Sequence, residues 1–170
     1  WVYRWKETGK VVSNCHKIPA RKFERQLLDV DNIVEEYSAL LSKIKATNPG
    51  VKVIFTVSPV RHLKDSAIGN QISKSTLLLA IDKMKQADVE YFPAYELMMD
   101  DLRDYRFYEK NMTHPNSTAV DYIFQRFSET YLTEESKKIV KKMEKLQKAR
   151  EHTAIPQTKL KNFIVNLQNR

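Results

Sequence analysis

In Lys110-Asn111-Met112-Thr113-His114-Pro115-Asn116 a histidine stands just ahead of a helix start, and an asparagine stands three residues before it. An imidazole so placed can act as general base for a serine nucleophile, provided a neighbouring acid on its other ring nitrogen holds the right tautomer. A side chain three residues upstream, within one turn of chain, can make that contact. Asn111 orients an imidazole by hydrogen bonding but gives no charge to stabilise the imidazolium formed on proton transfer. In a serine-protease triad the corresponding Asp-to-Asn change costs about 10⁴ in turnover. The same residues also suit an ordinary helix-cap histidine, and the local sequence leaves both readings open.

Other candidates lie elsewhere in the chain. Arg61 and His62 follow an apolar run in SPVRHLKD (58–65). Arg61 offers a fork of donors for a carboxylate or phosphate; the plainer reading is a solvated loop. Asn14 could donate to an oxyanion. Its neighbours Cys15 and His16 point to opposite faces if the segment is extended, which disfavours a dyad, and no second His/Cys cluster lies near enough in sequence for a metal site. RDYRFYEK (103–110) mixes charges with aromatic rings. It would suit base stacking and phosphate contacts, but paired Arg and Asp with buried rings is the commoner outcome.

These residues need elements to position them. VKVIFTVSPV (51–60) is apolar on both faces and ends at Ser58-Pro59, as strands of a helix-covered parallel sheet do. A helix is expected before it, capped by Asp29 or Asp31, with Ile33, Val34, Tyr37, Leu40, Leu41 and Ile44 at helical spacing, and stopped by Asn48-Pro49-Gly50. A polar loop over 61–73 leads to a second amphipathic helix carrying Leu77, Leu78, Ala80, Ile81 and Met84. VEYFPAY (89–95) reads as a short strand, and YELMMDDL begins another helical piece. Pro115 suits the first turn of a helix to about Leu132, with Val120, Ile123, Phe124 and Phe127 inward. The order β, α, β, α is that of a parallel α/β layer fold. At the start, WVYRW alternates like a strand and VVSNC is placed to return beside it, a hairpin reaching past the sheet edge. From Glu134 an amphipathic helix sets Ile139, Val140, Met143 and Leu146 against lysines, and after a break at Ile155-Pro156 a shorter piece, LKNFIVNLQ, follows.

The totals limit the function classes. With 170 residues, 42% hydrophobic and 29% charged, the chain has a globular composition. The net charge of +8 sits mostly in residues 134–170, with ten Lys/Arg against four Asp/Glu; residues 1–133 carry nineteen against seventeen. The main body is nearly balanced, so nucleic acid is not the expected partner. The basic helix 134–150 has an alternative as a surface for an acidic protein, nucleic acid or an anionic membrane; otherwise it packs back on the domain with its lysine face solvated. Three glycines leave no room for a phosphate-cradling loop. One cysteine, no apolar run of about 18 residues and no visible secretory signal suit a cytoplasmic protein.

Five segments in order carry a resemblance: SNCHKIPARKFERQLL (13–28), VKVIFTVSPVRHLKD (51–65), NQISKSTLLLAID (70–82), YFPAYELMMDDLRDYRFY (91–108) and NMTHPNSTAVDYIFQRFSETYL (111–132). Together they resemble the GSCFA family, which is similar to the SGNH (GDSL-like) hydrolases and common in Bacteroidetes-type bacteria. The resemblance implies a flavodoxin-like three-layer α/β/α fold with a mainly parallel sheet. It also implies a catalytic serine in an N-terminal Gly-Ser-Cys-Phe-Ala motif and a histidine in an Asp-x-x-His-Pro block. His114 and Pro115 match that block, and Asn111 takes the Asp place. Ser66 stands where many relatives have Gly. The chain holds no GSCFA string, so its first 132 residues are expected to be the C-terminal portion of the domain, with 133–170 a basic helical extension. The implied function is that of an esterase acting on acyl or O-acetyl esters of a carbohydrate or lipid. The serine would lie outside this chain, and the fragment alone would be inactive. His114 and Asn111 would be catalytic; Arg61, His62 and Asn14 would line the substrate site; no metal or organic cofactor is called for. The alternative is a weak or inactive hydrolase-fold module that binds a glycan or nucleotide-like ligand.

Overall fold

The computed structural model describes residues 1–13, 18–85 and 88–152, and the side chains of 150–152 are outside the description. Asn14, Cys15 and His16, and the segment LKNFIVNLQ, therefore lie outside the described residues. The chain divides into two units, Trp1–Ile123 and Phe124–Arg170.

The first unit is mixed α/β. Strands β1 (Val2–Trp5) and β2 (Val11–Val12) form the hairpin expected from WVYRW and VVSNC, with Tyr3 opposite Val12. Gly9 makes the turn possible at φ +66°, a left-handed backbone that costs glycine little. The hairpin does not extend the parallel sheet. It belongs to a separate antiparallel sheet of order β2-β1-β3, whose third strand, β3 (Phe23–Gln26), pairs along all of β1 from Val2 opposite Gln26 to Trp5 opposite Phe23. Phe23 meets the rings of Tyr3 and Trp5 edge-on, at 6.0 and 5.3 Å.

Helix α1 (Val30–Thr47) begins at Asp29, whose carboxylate accepts from the Asn32 N–H at 2.7 Å, and ends at Asn48. Ile33 and Leu41 of its inner stripe are buried, whereas Tyr37 and Leu40 are exposed. Strand β4 (Val53–Phe55) pairs in parallel with β5 (Val89–Tyr91). Parallel neighbours need a crossover, and α2 (Ser66–Met84) supplies it while packing on α1. Ile33, Leu41, Val57, Ala80, Ile81, Met84, Val89 and Tyr95 form the core around this β-α-β unit.

Helix α2 starts seven residues or more before the expected position, because the polar stretch after Asp65 is helical. Its first residue, Ser66, has φ 64° and ψ 169°, a region almost confined to glycine. Ser66 Oγ accepts from the Gly69 N–H at 3.2 Å, as an N-cap side chain does.

After β5, a short helix α3 (Ala94–Glu96) runs on into a π-helical turn, Leu97–Asp101. Met98 at 0% exposure, Leu102, Tyr108 and Ala119 make a second buried cluster. Helix α4 (Ser117–Tyr131) starts two residues later than Pro115 predicts. Asn116 is its cap, since its Oδ1 accepts from the Ala119 N–H at 3.1 Å. The inward residues of its first turns are Ala119, Tyr122 and Ile123; Val120 and Phe124 are exposed, contrary to expectation.

In the second unit, Phe127 and Tyr131 of α4 are in ring contact at 5.0 Å. Thr133 caps helix α5 (Glu134–His152) by accepting from the Ser136 N–H at 3.2 Å. Ile139, Met143 and Leu146 are exposed. No helix among the described residues is long and apolar enough to cross a membrane.

Candidate functional site

The chain leaves β4 through Val57, Ser58 and Pro59 and enters the loop that holds Arg61 and His62. The loop before α4 lies beside it, joined by the Arg61 N–H donating to the Thr113 carbonyl at 3.0 Å. The carboxyl end of β4 and the His114 loop are thus one edge of the molecule, where open α/β folds gather functional groups.

The His114 loop is closed by its own backbone. The Glu109 N–H donates to the His114 carbonyl at 2.8 Å, the Met112 N–H to the Glu109 carbonyl at 2.8 Å, and Tyr108 bridges Pro115. Asn116 adds a clamp, donating from Nδ2 to the Arg106 carbonyl at 2.7 Å. Met112 takes φ 60° to complete the turn.

Asn111 sits at the centre. Its Oδ1 accepts from the Thr113 N–H at 2.9 Å, the Thr113 hydroxyl at 2.9 Å and the His114 N–H at 3.1 Å. Those two backbone donors fix which end of the amide is oxygen. The other end, Nδ2, lies 2.9 Å from His114 Nδ1, and Thr113 Oγ1 lies at the same 2.9 Å. An amide nitrogen can only donate. For that contact His114 Nδ1 must accept and the neutral ring carries its proton on Nε2, whereas the Thr113 hydroxyl, whose own proton goes to Asn111 Oδ1, calls for a proton on Nδ1. A general base working through Nε2 needs the proton on Nδ1. The spacing of three residues does bring Asn111 onto the imidazole, and the amide orients it in the unreactive sense. His114 and Asn111 are both exposed, and no partner meets Nε2 among the described residues.

Arg61 and His62 part company. The Arg61 guanidinium lies over the rings of Tyr108 at 4.1 Å and Tyr105 at 5.3 Å and lines a small cavity of about 200 Å³ with Met98 and Leu102. His62 lines a larger cavity of about 590 Å³ on another side, and its N–H donates to Asn70 Oδ1 at 2.9 Å. Burial, reinforced by the charge of Lys74, holds the His62 imidazole below its ordinary value.

Two residues of the larger cavity went unread in the sequence. Lys74 on α2 is 3% exposed, and its ammonium donates to the Ser58 carbonyl at 2.6 Å. Burial holds it below the usual lysine value. Its position carried a signal: it falls on the stripe of Leu77, Leu78 and Ile81 at offsets of three, four and seven, where a lysine is out of place. Arg25 on β3 pairs with Asp65 at 2.7 Å, lies over Trp1 at 4.9 Å and Tyr3 at 5.5 Å, and keeps its buried Nε without an acceptor among the described residues. The hydrogen bond from Arg25 holds the Asp65 carboxyl below its usual range. In RDYRFYEK the arginines are spoken for, Arg103 by Asp100 and Arg106 by Asp104, both at 3.0 Å, and Tyr108 is buried. Among the described residues no three or more His, Cys, Asp or Glu gather as metal ligands would.

No curated protein and no solved structure matches the chain. The model of the GSCFA family matches residues 1–127, about three-quarters of the length, and the chain belongs to the GSCFA family.

Proposed function

We propose that this chain is the histidine-bearing portion of an SGNH-like serine hydrolase that cleaves acyl or O-acetyl esters of a carbohydrate or lipid. Its β4-α2-β5 unit would be part of a three-layer α/β/α domain. The observation that carries the reading is His114. It is exposed at the carboxyl edge of the parallel strands, braced through Nδ1 and with Nε2 unengaged among the described residues.

In this reading the serine comes from polypeptide outside these 170 residues. His114 Nε2 takes the serine proton as the hydroxyl oxygen attacks the ester carbonyl, then returns it to the leaving alcohol. For the first step Nε2 must present a lone pair, so the ring has to leave the tautomer that Asn111 favours. The Thr113 hydroxyl offers the way. It can accept from a protonated Nδ1 while donating to Asn111 Oδ1, both at 2.9 Å. This makes the enzyme slow rather than dead. His62 and the larger cavity receive the substrate, and Arg61, stacked on Tyr108, braces the loop more than it reads an anion.

The test is ester hydrolysis by the full-length polypeptide that includes the serine segment. Short-chain nitrophenyl esters should be turned over, and His114→Ala should lose about 10²- to 10⁴-fold, the usual range for a general base. Equal rates in the two proteins would sink the reading. A second reading, a glycan- or nucleotide-binding module on the same fold, is favoured by one observation, the amide nitrogen of Asn111 on Nδ1. It predicts no turnover with Asn or with Asp at position 111.

A further inference from the structure

The larger cavity of about 590 Å³ has an apolar wall that includes Leu28, Ile33 and Leu77. Its polar side is cationic. Lys64, Lys74 and Arg25 line it with a single carboxylate, Asp65, which Arg25 occupies. Lys74 is the unusual member. An ammonium has three donors; one goes to the Ser58 carbonyl, and among the described residues no carboxylate pairs with it. A lysine 97% withdrawn from solvent without a counter-ion is costly to the fold. The nearby imidazole of His62 is itself burdened by the Lys74 charge. Arg25 Nε is a buried donor with no acceptor among the described residues. A buried ammonium with donors to spare and a buried guanidinium Nε on one part-apolar cavity suit an anionic group.

From this geometry we infer that the cavity binds an anionic amphiphile, with a carboxylate or phosphate group against the Lys74 ammonium and an apolar body along Leu28, Ile33 and Leu77. His62 lines the same cavity, which in the proposed hydrolase receives the substrate, so there the anion would belong to the substrate. Only that last step rests on the hydrolase reading; binding is measured without turnover, so the two can fail separately.

The experiment uses the full chain and three probes of similar body: 4-phenylbutyrate, 3-phenylpropyl phosphate and the neutral 4-phenylbutanamide, titrated calorimetrically. The chain should prefer one or both anions over the amide by about 10- to 150-fold, the range for a hydrogen bond to a charged group. Carboxylate and phosphate are told apart by which of the two wins. Lys74→Met should erase the preference while leaving the far-UV circular dichroism unchanged. Lys74→Gln, which can still donate to the Ser58 carbonyl, should erase it too, and it covers the case in which the methionine variant does not fold. No anion preference in the parent chain overturns the inference. So does a folded Lys74 variant that keeps the preference, since the lysine would then be only a brace for the Ser58 carbonyl. Lys74-dependent anion binding in a protein that hydrolyses no ester would keep this inference and remove the hydrolase.

Discussion

Asn111→Asp is the substitution on which the account of His114 depends. In the parent, Oδ1 is taken by the N–H groups of Thr113 and His114, and Nδ2 faces His114 Nδ1 at 2.9 Å. An aspartate can keep those two backbone donors on one oxygen and offer the other to Nδ1. That oxygen can only accept, so the ring proton moves to Nδ1 and Nε2 gains the lone pair. Two contributions add. Reaching the working tautomer no longer breaks the amide bond to Nδ1, worth about 0.5–1.5 kcal/mol net. The imidazolium formed on proton transfer gains a carboxylate neighbour, worth about 1 kcal/mol at 4 Å in water and about 4 kcal/mol near a less solvated surface. Both residues are exposed, so the lower figure governs. The sum is about 1.5–2.5 kcal/mol, or roughly 10- to 70-fold in kcat/KM. This is well short of the about 10⁴ seen in a buried triad. Two assays check it. Nitrogen-15 NMR of histidine-labelled protein should find His114 as the Nε2–H form in the parent and the Nδ1–H form in the variant. Ester hydrolysis by the full-length polypeptide should rise with the tautomer change. A parent ring already protonated at Nδ1, or a variant that switches tautomer with no gain in rate, would refute the reasoning.

Further outcomes follow from the same structure. Ser66→Gly should stabilise the chain by about 1 kcal/mol in urea unfolding. It relieves a backbone strain of about 1–3 kcal/mol, less a few tenths for the cap and about 0.5–1 kcal/mol for glycine's unfolded freedom; a loss of stability would show that the hydroxyl on Gly69 matters more than the backbone. Met98→Ala removes a side chain at 0% exposure from the cluster with Leu102, Tyr108 and Ala119 and should cost about 2–5 kcal/mol, seen as a lower urea midpoint. The Arg25–Asp65 pair sets a pH dependence. The folded carboxyl titrates below its ordinary 3.8, so the unfolded chain takes up the proton first. The stabilisation is whole above that value and drains away as pH falls through the lower folded one. The stability gap between the parent and Asp65→Asn should therefore be constant near neutrality and shrink below about pH 4; a gap unchanged down to pH 3 would mean the pair adds nothing through ionisation.

Elements whose signals are local were legible in advance. Asp29, the helical stripe and Asn48-Pro49-Gly50 marked α1, and the doubly apolar run before Ser58-Pro59 marked β4. β3 was not legible, because Phe-Glu-Arg-Gln has no strand pattern of its own and is held by pairing with β1, about twenty residues away. The early start of α2 was hidden for a similar reason. A polar run with Ser66 at a glycine-like φ reads as loop until Asp65 is anchored by Arg25. At the site, the three-residue spacing brought Asn111 to His114 as expected, but the sense of the hydrogen bond needed the backbone donors on Oδ1. Arg61 and His62 were read as a pair from adjacency; the chain turns between them and sends one onto Tyr108 and the other to the larger cavity. Lys74 is hard to see in the sequence because lysine is ordinarily a surface residue, although its place on the apolar stripe marks it as buried.

The central claim is that His114 activates a serine. The most direct measurement treats the full-length polypeptide with a fluorophosphonate probe, maps the adduct by mass spectrometry and repeats the treatment with His114→Ala. One adduct is expected, on a serine outside these 170 residues, formed slowly in the parent and lost in the variant. A folded parent with no adduct, or an adduct that forms equally without His114, would contradict it.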